Sequence, residues 1–386
     1  LTAYDKVEEA IEALERAEQV DPGNVELLVA RGGIFSKKGQ HQKAIQLYKS
    51  ALPQHEYPEE LLMMIAAEYQ AMGDHLRALK SYKELLRLDP LDDIALYSLA
   101  NCYDLLDKLH DGIAFFKHFI EKQPYSEQAW FHLATLYSRT GSNDKGLWAI
   151  DYALLIDEGF TAAYYEKARI LEQEKRFDEA IEAYRTSIND DEPAGYSYFK
   201  MANCYRQMGD GHKAGICYTK ALKEDPELDE AHLELALLLD EDNRMLEAVH
   251  HINQAVELDP ENADYLMIQA EIYRRHGLVE EAATMYAKIL QMGFTEPDIY
   301  MEYAELLFEL DEIETGMDQL YNGVQLNPDD ADIRFRLAGY LFSIDEWDEG
   351  EIYFRQAMRI DPSRRFRFLE LFPKFAGNKR LEDLRS

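Results

Sequence analysis

The tetrapeptide Ala100-Asn101-Cys102-Tyr103 returns as Ala202-Asn203-Cys204-Tyr205. Two cysteines in identical settings could form a disulfide, hold half of a metal site or act as reactive thiols. Cys217 makes the total three, an odd count with no Cys-x-x-Cys spacing, and the plain reading is free thiols in a reducing compartment. A second cluster, Glu247, His250 and His251, carries metal-ligating atoms within one helical stretch, but its acidic neighbours mark a solvated face rather than a metal site. There is no P-loop, nucleophile elbow, HExxH helix or glycine-rich dinucleotide turn. No catalytic residue, metal or cofactor is therefore expected, and the chemistry left is recognition.

The copies of the tetrapeptide lie 102 residues apart, three times 34, and 34 organises the chain. Stepping from Pro90 by 34 reaches Pro124, Pro226, Pro260, Pro328 and Pro362, and backward Pro22. Stepping from Gly32 meets Ala66, Ala100, Ala134, Ala168, Ala202, Ala236, Ala270, Ala304 and Ala338. A third series from Ala10 to Gly350 is likewise all alanine or glycine. Two helices approach closely only where both surfaces lack bulk, so these paired series predict a helix–helix contact in every unit.

The segments between markers have helical periodicity. In "IALYSLANCYDLL" Ile94, Leu96, Leu99, Ala100, Tyr103 and Leu106 close one face, and "FDEAIEAYRTSI" repeats the pattern. Gly39, Gly73, Gly141, Gly209 and Gly277 fall where a left-handed residue ends the first helix of a unit. Asp-Pro then stops the second helix, and Asn24, Asp92, Ser126, Asn262 or Asp330 supplies the next N-cap. Each unit is a hairpin of helices of about 14 residues, roughly 21 Å long. One hairpin cannot bury its own face, whereas stacked hairpins share a continuous core.

Composition agrees with a folded chain: of 386 residues 47% are apolar and 12% aromatic, although 30% are charged. The net charge of -33 and the lack of a basic stripe exclude nucleic acid as an expected partner. Residues 359–386 carry eight basic and four acidic side chains, net +4, which leaves -37 for the first 358. A basic tail thus follows an acidic body. No run of apolar residues is long enough to span a membrane.

A 34-residue two-helix unit with small residues at two fixed places, a nearby aromatic such as Tyr69, Tyr82, Tyr103 or Tyr205 and a closing proline resembles the tetratricopeptide repeat. The resemblance covers nearly the whole chain and implies an all-α fold, an α-solenoid of helix-turn-helix units wound into a right-handed superhelix. The expected organisation is a partial repeat over 1–24 (second helix only), ten tandem units over 25–364, and a capping helix with basic tail over 365–386. Leu1 stands where the first helix of the partial repeat would be ending, as in an array cut from a longer one or starting at a processing site. In the tail, Phe372 and Pro373 break the small-residue series, and "FRFLELF" is expected to cover the last unit while its basic residues lie on the acidic body.

The resemblance also implies a concave groove lined by first helices, in which members of the family hold extended or helical segments of other proteins. One row of groove positions runs through Tyr97, Phe131, Tyr165 and Phe199, and another, one turn on, through Asn101, Thr135, Arg169 and Asn203. With Arg139, Lys200 and Arg206 these make an amide-bearing, locally basic groove above aromatics. Asparagine can bond both groups of a peptide unit and arginine can fork onto a carboxylate, which suits an acidic or C-terminal segment. The competing reading is that the aromatics pack between helices and the arginines pair with Asp104, Glu166 or Glu172. Family members that capture chaperone tails place lysine one turn before a groove asparagine; here Tyr97 and Phe199 stand there, which argues against a chaperone-binding role.

The expectation is a non-catalytic protein-binding scaffold in the cytoplasm, with an upstream signal or anchor left open. The alternative is the recognition arm of a larger enzyme or of a membrane-anchored envelope-assembly protein. A homodimer through exposed repeat ends is a further expectation, because Val7, Ile11 and Leu14 would lack their covering helix.

Overall fold

The computed structural model describes residues 14, 16–17, 21, 24–188, 194–378 and 380–381. The expected partial repeat lies almost wholly outside these, as do Val7 and Ile11. Among the described residues there are 21 α-helices, three short 3-10 turns and no strand. Twenty of the helices fall two by two in the 34-residue frame and are numbered as repeats 1 to 10 from Val25; the last helix, Arg365–Leu371, follows them. No helix is long and apolar enough to cross a membrane.

The local signals for the hairpins act as backbone chemistry requires. Asn24, Asp92, Ser126, Asn262 and Asp330 each accept a hydrogen bond from the amide three residues on, at 2.8–3.3 Å. The five turn glycines have φ between 69° and 78°. The other five repeats hold the same left-handed place with Asp107, Lys175, Asn243, Asp311 and Asp345, at φ of 53° to 69°. The conformation is thus common to all ten repeats while the residue is not. It lets the next amide return to the helix end: Gln40 N donates to Phe35 O at 2.8 Å, and Arg176 N to Leu171 O at 2.9 Å.

The two small-residue series meet inside the hairpins. A β-carbon on Gly146 would lie 3.3 Å from the Ala134 carbonyl oxygen, and one on Gly316 3.2 Å from that of Ala304. Alanine or glycine at both places is what brings the helices together, and a larger side chain at either would overpack the contact.

The chain divides into two compact units, Leu1–Glu192 with Asn203–Met208 and Pro193–Ala202 with Gly209–Ser386. In the first, the second helices of repeats 1 to 4 each pack on the first helix of the following repeat, and a continuous apolar core runs from Ala44 to Ile170 with Tyr82, Phe116 and Ile150 fully enclosed. The second unit stacks repeats 7 to 10 in the same way. It ends in an aromatic cluster in which Phe335, Phe342 and Phe354 enclose Phe368, Phe372 and Phe375 from the terminal segment. The basic tail lies on acid: Arg364 and Arg367 both donate to Asp332 Oδ2, at 3.0 and 2.9 Å, and Arg380 pairs with Asp348 and Glu351.

Candidate peptide-binding face

In the first unit the face is carried by the first helices of repeats 3 (Asp93–Leu105), 4 (Glu127–Arg139) and 5 (Thr161–Gln173). Tyr97 is 62% exposed, its ring 6.1 Å from His132. One turn on, Asn101 is half-buried, and among the described residues its side-chain amide has no protein partner. Phe131 packs on Phe160 at 5.2 Å and Tyr165 on Tyr184 at 5.3 Å, so these two aromatics are shared between the face and the packing beneath it. Thr135 turns its hydroxyl back to the His132 carbonyl at 2.8 Å.

Both arginines of this face are engaged. Arg139 pairs with Asp104 of the preceding repeat at 2.8 Å. Arg169 forks onto Glu166, Nε to Oε2 at 2.8 Å and NH2 to Oε1 at 2.6 Å, and also donates to Ser138 Oγ at 3.1 Å. The carboxylate is nearly buried, and the hydrogen bonds that Arg169 donates to Glu166 hold the Arg169 pKa above its ordinary value. The face is therefore amide, hydroxyl and aromatic, with its cations neutralised. These pairs also tie neighbouring repeats together, Asp104 to Arg139 and Ser138 to Arg169. Spacing alone does not distinguish a free arginine from a stitching one, because their acidic partners, Asp104 and Glu166, stand on the same helical faces.

Asn203 and Arg206 are half-buried and engaged with neighbours. In the second unit Phe199 is buried, with Tyr196 at 5.8 Å and Tyr218 at 6.0 Å, and is a packing residue. Lys200 lies over the rings of Tyr196 and Phe199, at 5.4 and 5.9 Å. Further along, Arg274 reaches Glu302, Glu305 and Glu309 at 3.1, 2.7 and 2.5 Å. Arg336 reaches Glu302 and Glu305 from the other side at 3.4 and 2.9 Å. Glu302 and Glu305 of repeat 9 are thus cross-linked to the repeats on both sides.

The constellations that suggested other chemistry are occupied by packing. Cys102, Cys204 and Cys217 are free and buried, and burial pushes the Cys102 thiol up to about 11, so little thiolate exists near neutrality. Glu247 is held by Arg244 through two hydrogen bonds of 2.8 and 2.5 Å. His251 Nδ1 lies 2.9 Å from His232 Nδ1, whose Nε2 faces the Pro226 carbonyl at 3.3 Å. Burial and its histidine neighbours hold His251 at about 4, neutral and spent on a hydrogen bond. Among the described residues no group of His, Cys, Asp and Glu is arranged to hold a metal ion.

One further cleft, about 530 Å³, opens over Leu235, Leu238 and Leu239 in the second unit. The 34-residue frame explains it: Gly211 and Gly215 stand where repeat 5 has Phe177 and Ile181 and repeat 7 has Met245 and Val249. Two large side chains one turn apart are missing, and Leu238 fills only part of their place.

Two sequence profiles, both described as tetratricopeptide repeat, match this chain. One covers residues 5–59, 63–127 and 244–297, the other 161–189 and 195–228. The chain is a tetratricopeptide-repeat protein. Curated proteins give no significant match to this repeat protein. Among solved structures it is similar to YrrB, titled a TPR protein with an unusual peptide-binding site, at 19% identity and a TM-score of 0.39, covering 46% of this chain and 92% of that one. It is also similar to MamA, at 22% identity and a TM-score of 0.38, covering 45% and 94%. A third likeness, to the APC/C hetero-tetramer Cut9-Hcn1, spans 86% of this repeat protein and 81% of that chain at 12% identity and a TM-score of 0.42.

Proposed function

We propose that this tetratricopeptide-repeat protein is a non-catalytic scaffold, and that the first helices of repeats 3 to 5 bind an extended segment of a partner protein. The observation that carries this reading is Asn101, whose amide has no partner among the described residues and stands one turn from the exposed ring of Tyr97. Such an amide can take both the N–H and the C=O of one peptide unit, and the adjacent ring can cover an apolar side chain. Arg139 and Arg169 are already paired, so the ligand is recognised through its backbone and apolar side chains more than through charge.

A peptide selected on the intact protein from a phage-displayed random library, measured by calorimetry, tests this. Asn101→Ala and Tyr97→Ala are expected to weaken binding about tenfold each, to leave the melting temperature unchanged, and to show little salt dependence. Unaltered affinity in both variants would sink the reading.

A further inference from the structure

The second helices of repeats 2 (His75–Leu88) and 3 (Leu109–Lys122) enclose a cleft of about 490 Å³ with an unusual lining for so acidic a chain. Lys83, Arg87, His118 and Lys122 border it, Phe115 and Phe119 form apolar walls, and no carboxylate lines it. His118 is met by Glu121 at 3.1 Å, but among the described residues Lys83, Arg87 and Lys122 have no ion-pair partner. That is unexpected at a net charge of -33, where acids outnumber bases and most other arginines described above are paired.

Lys83 is the innermost of the three. Its ammonium lies over the rings of Tyr103 and Phe115 at 5.1 and 5.2 Å, and the residue is half-buried. Burial pulls its pKa below the ordinary lysine value, with Arg87 and Lys108 acting in the same sense and Asp111 opposing them. An unpaired, partly desolvated lysine gains most from an incoming anion. The walls are bulkier than in the neighbouring repeats: Phe115 and Phe119 stand where the repeat before has Ser81 and Leu85 and the next has Ala149 and Ala153.

We propose that this cleft binds a short acidic peptide segment of a partner protein, with an aromatic or aliphatic side chain between Phe115 and Phe119 and flanking carboxylates on Lys83, Arg87 and Lys122. Charge complementarity selects the anion, and the ring walls select an apolar residue beside it. The site is a concavity of about 490 Å³ walled by two rings, a shape for a peptide segment rather than a flat lipid surface. This surface belongs to second helices and is independent of Asn101 and Tyr97.

The probe is a fluorescein-labelled peptide with a central phenylalanine flanked on each side by two acidic residues, titrated by fluorescence anisotropy against the full chain. The wild type is expected to bind it, with affinity falling as salt rises from about 50 to about 300 mM. The variant Arg87→Glu/Lys122→Glu changes two exposed side chains and keeps its circular dichroism spectrum, and it is expected to bind at least about tenfold more weakly. The same peptide with glutamine for each acid is expected not to bind, whereas Asn101→Ala keeps full affinity. No saturation by about 1 mM peptide, equal affinity in the charge-reversed variant, or equal affinity for the glutamine peptide overturns the proposal. Sedimentation of the protein with phosphatidylserine vesicles in a manner lost in the charge-reversed variant also overturns it, in favour of a membrane.

Discussion

The ring of Phe372 lies so close against Gly339 that a β-carbon there would fall 2.1 Å from its Cε2 atom. Phe372 occupies the place that is alanine or glycine in every repeat before it. It is buried with Phe368 and Phe375 instead of opening a space for another helix. The same residue that breaks the repeat therefore closes the stack, and it does so by using the bare backbone of the last first helix (Ala331–Ser343) as its seat.

Gly339→Ala is expected to displace this seat. A methyl cannot fit beneath a ring already enclosed by Phe368 and Tyr340, so the terminal segment must move, at a cost of about 1–3 kcal/mol. Hydrogen exchange should quicken in Arg365–Leu371 before either helix of repeat 10. Unchanged protection there, with an unchanged unfolding midpoint, would show that the cap relaxes freely.

Lys175 offers the opposite test. Its φ of 60° is a left-handed conformation that costs an ordinary side chain about 1–2 kcal/mol, and five other repeats hold the place with glycine. Part of that gain is lost to the greater freedom of glycine in the unfolded chain. Lys175→Gly is expected to raise the denaturant midpoint by about 0.5–1 kcal/mol equivalent, while the same change at exposed Lys117, inside the helix Leu109–Lys122, lowers it. A lower midpoint for Lys175→Gly would mean that its side chain contributes more than its backbone costs.

These turn and cap positions explain how much of the fold was legible in the sequence. Where one residue type answers one backbone requirement, as Asn24 and Asp92 do at N-caps or Gly39 and Gly73 at turns, the letter reports the geometry. The small-residue series were legible for the same reason, since only alanine and glycine satisfy the contact of Gly146 with Ala134. The candidate face was less so. Asn101 and Tyr97 stand open as the frame suggests, but Arg139 and Arg169 are bound to Asp104 and Glu166, a choice made by rotamers and inter-repeat packing. Phe199 turned inward because Tyr196 and Tyr218 close over it. The basic cleft had a signal in the sequence, two phenylalanines one turn apart where the next repeat has Ala149 and Ala153, beside cations one turn apart, which becomes a surface only when repeats 2 and 3 stack.

His132 predicts the course of stability with pH. It is enclosed by Phe116 and Phe131, its Nε2 is buried with no partner among the described residues, and burial lowers its pKa to about 4. Above the unfolded value of 6.5 the imidazole is neutral in both states and its contribution is complete. As pH falls below 6.5 the unfolded chain takes up the proton first, so stability declines until the folded state also protonates near 4, for a total of about 3 kcal/mol. His132→Leu removes this part of the decline, so the difference between variant and wild type should grow in the variant's favour from pH 7 to pH 4.5. A difference independent of pH would place the proton uptake elsewhere.

Arg169 separates binding from stability on the candidate face. Its fork holds Glu166, which is 7% exposed, so Arg169→Ala strands a nearly buried carboxylate and is expected to cost about 2 kcal/mol. Asn101→Ala removes a group that satisfies nothing in the fold, and its cost should stay within about 0.5 kcal/mol. Glu166→Gln in the Arg169→Ala background should recover much of the loss, because the stranded charge is then gone. A double-mutant cycle by urea unfolding measures this coupling. Additive effects of Arg169→Ala and Glu166→Gln would mean that the two side chains are solvated independently, and Arg169 would then be free to meet a ligand.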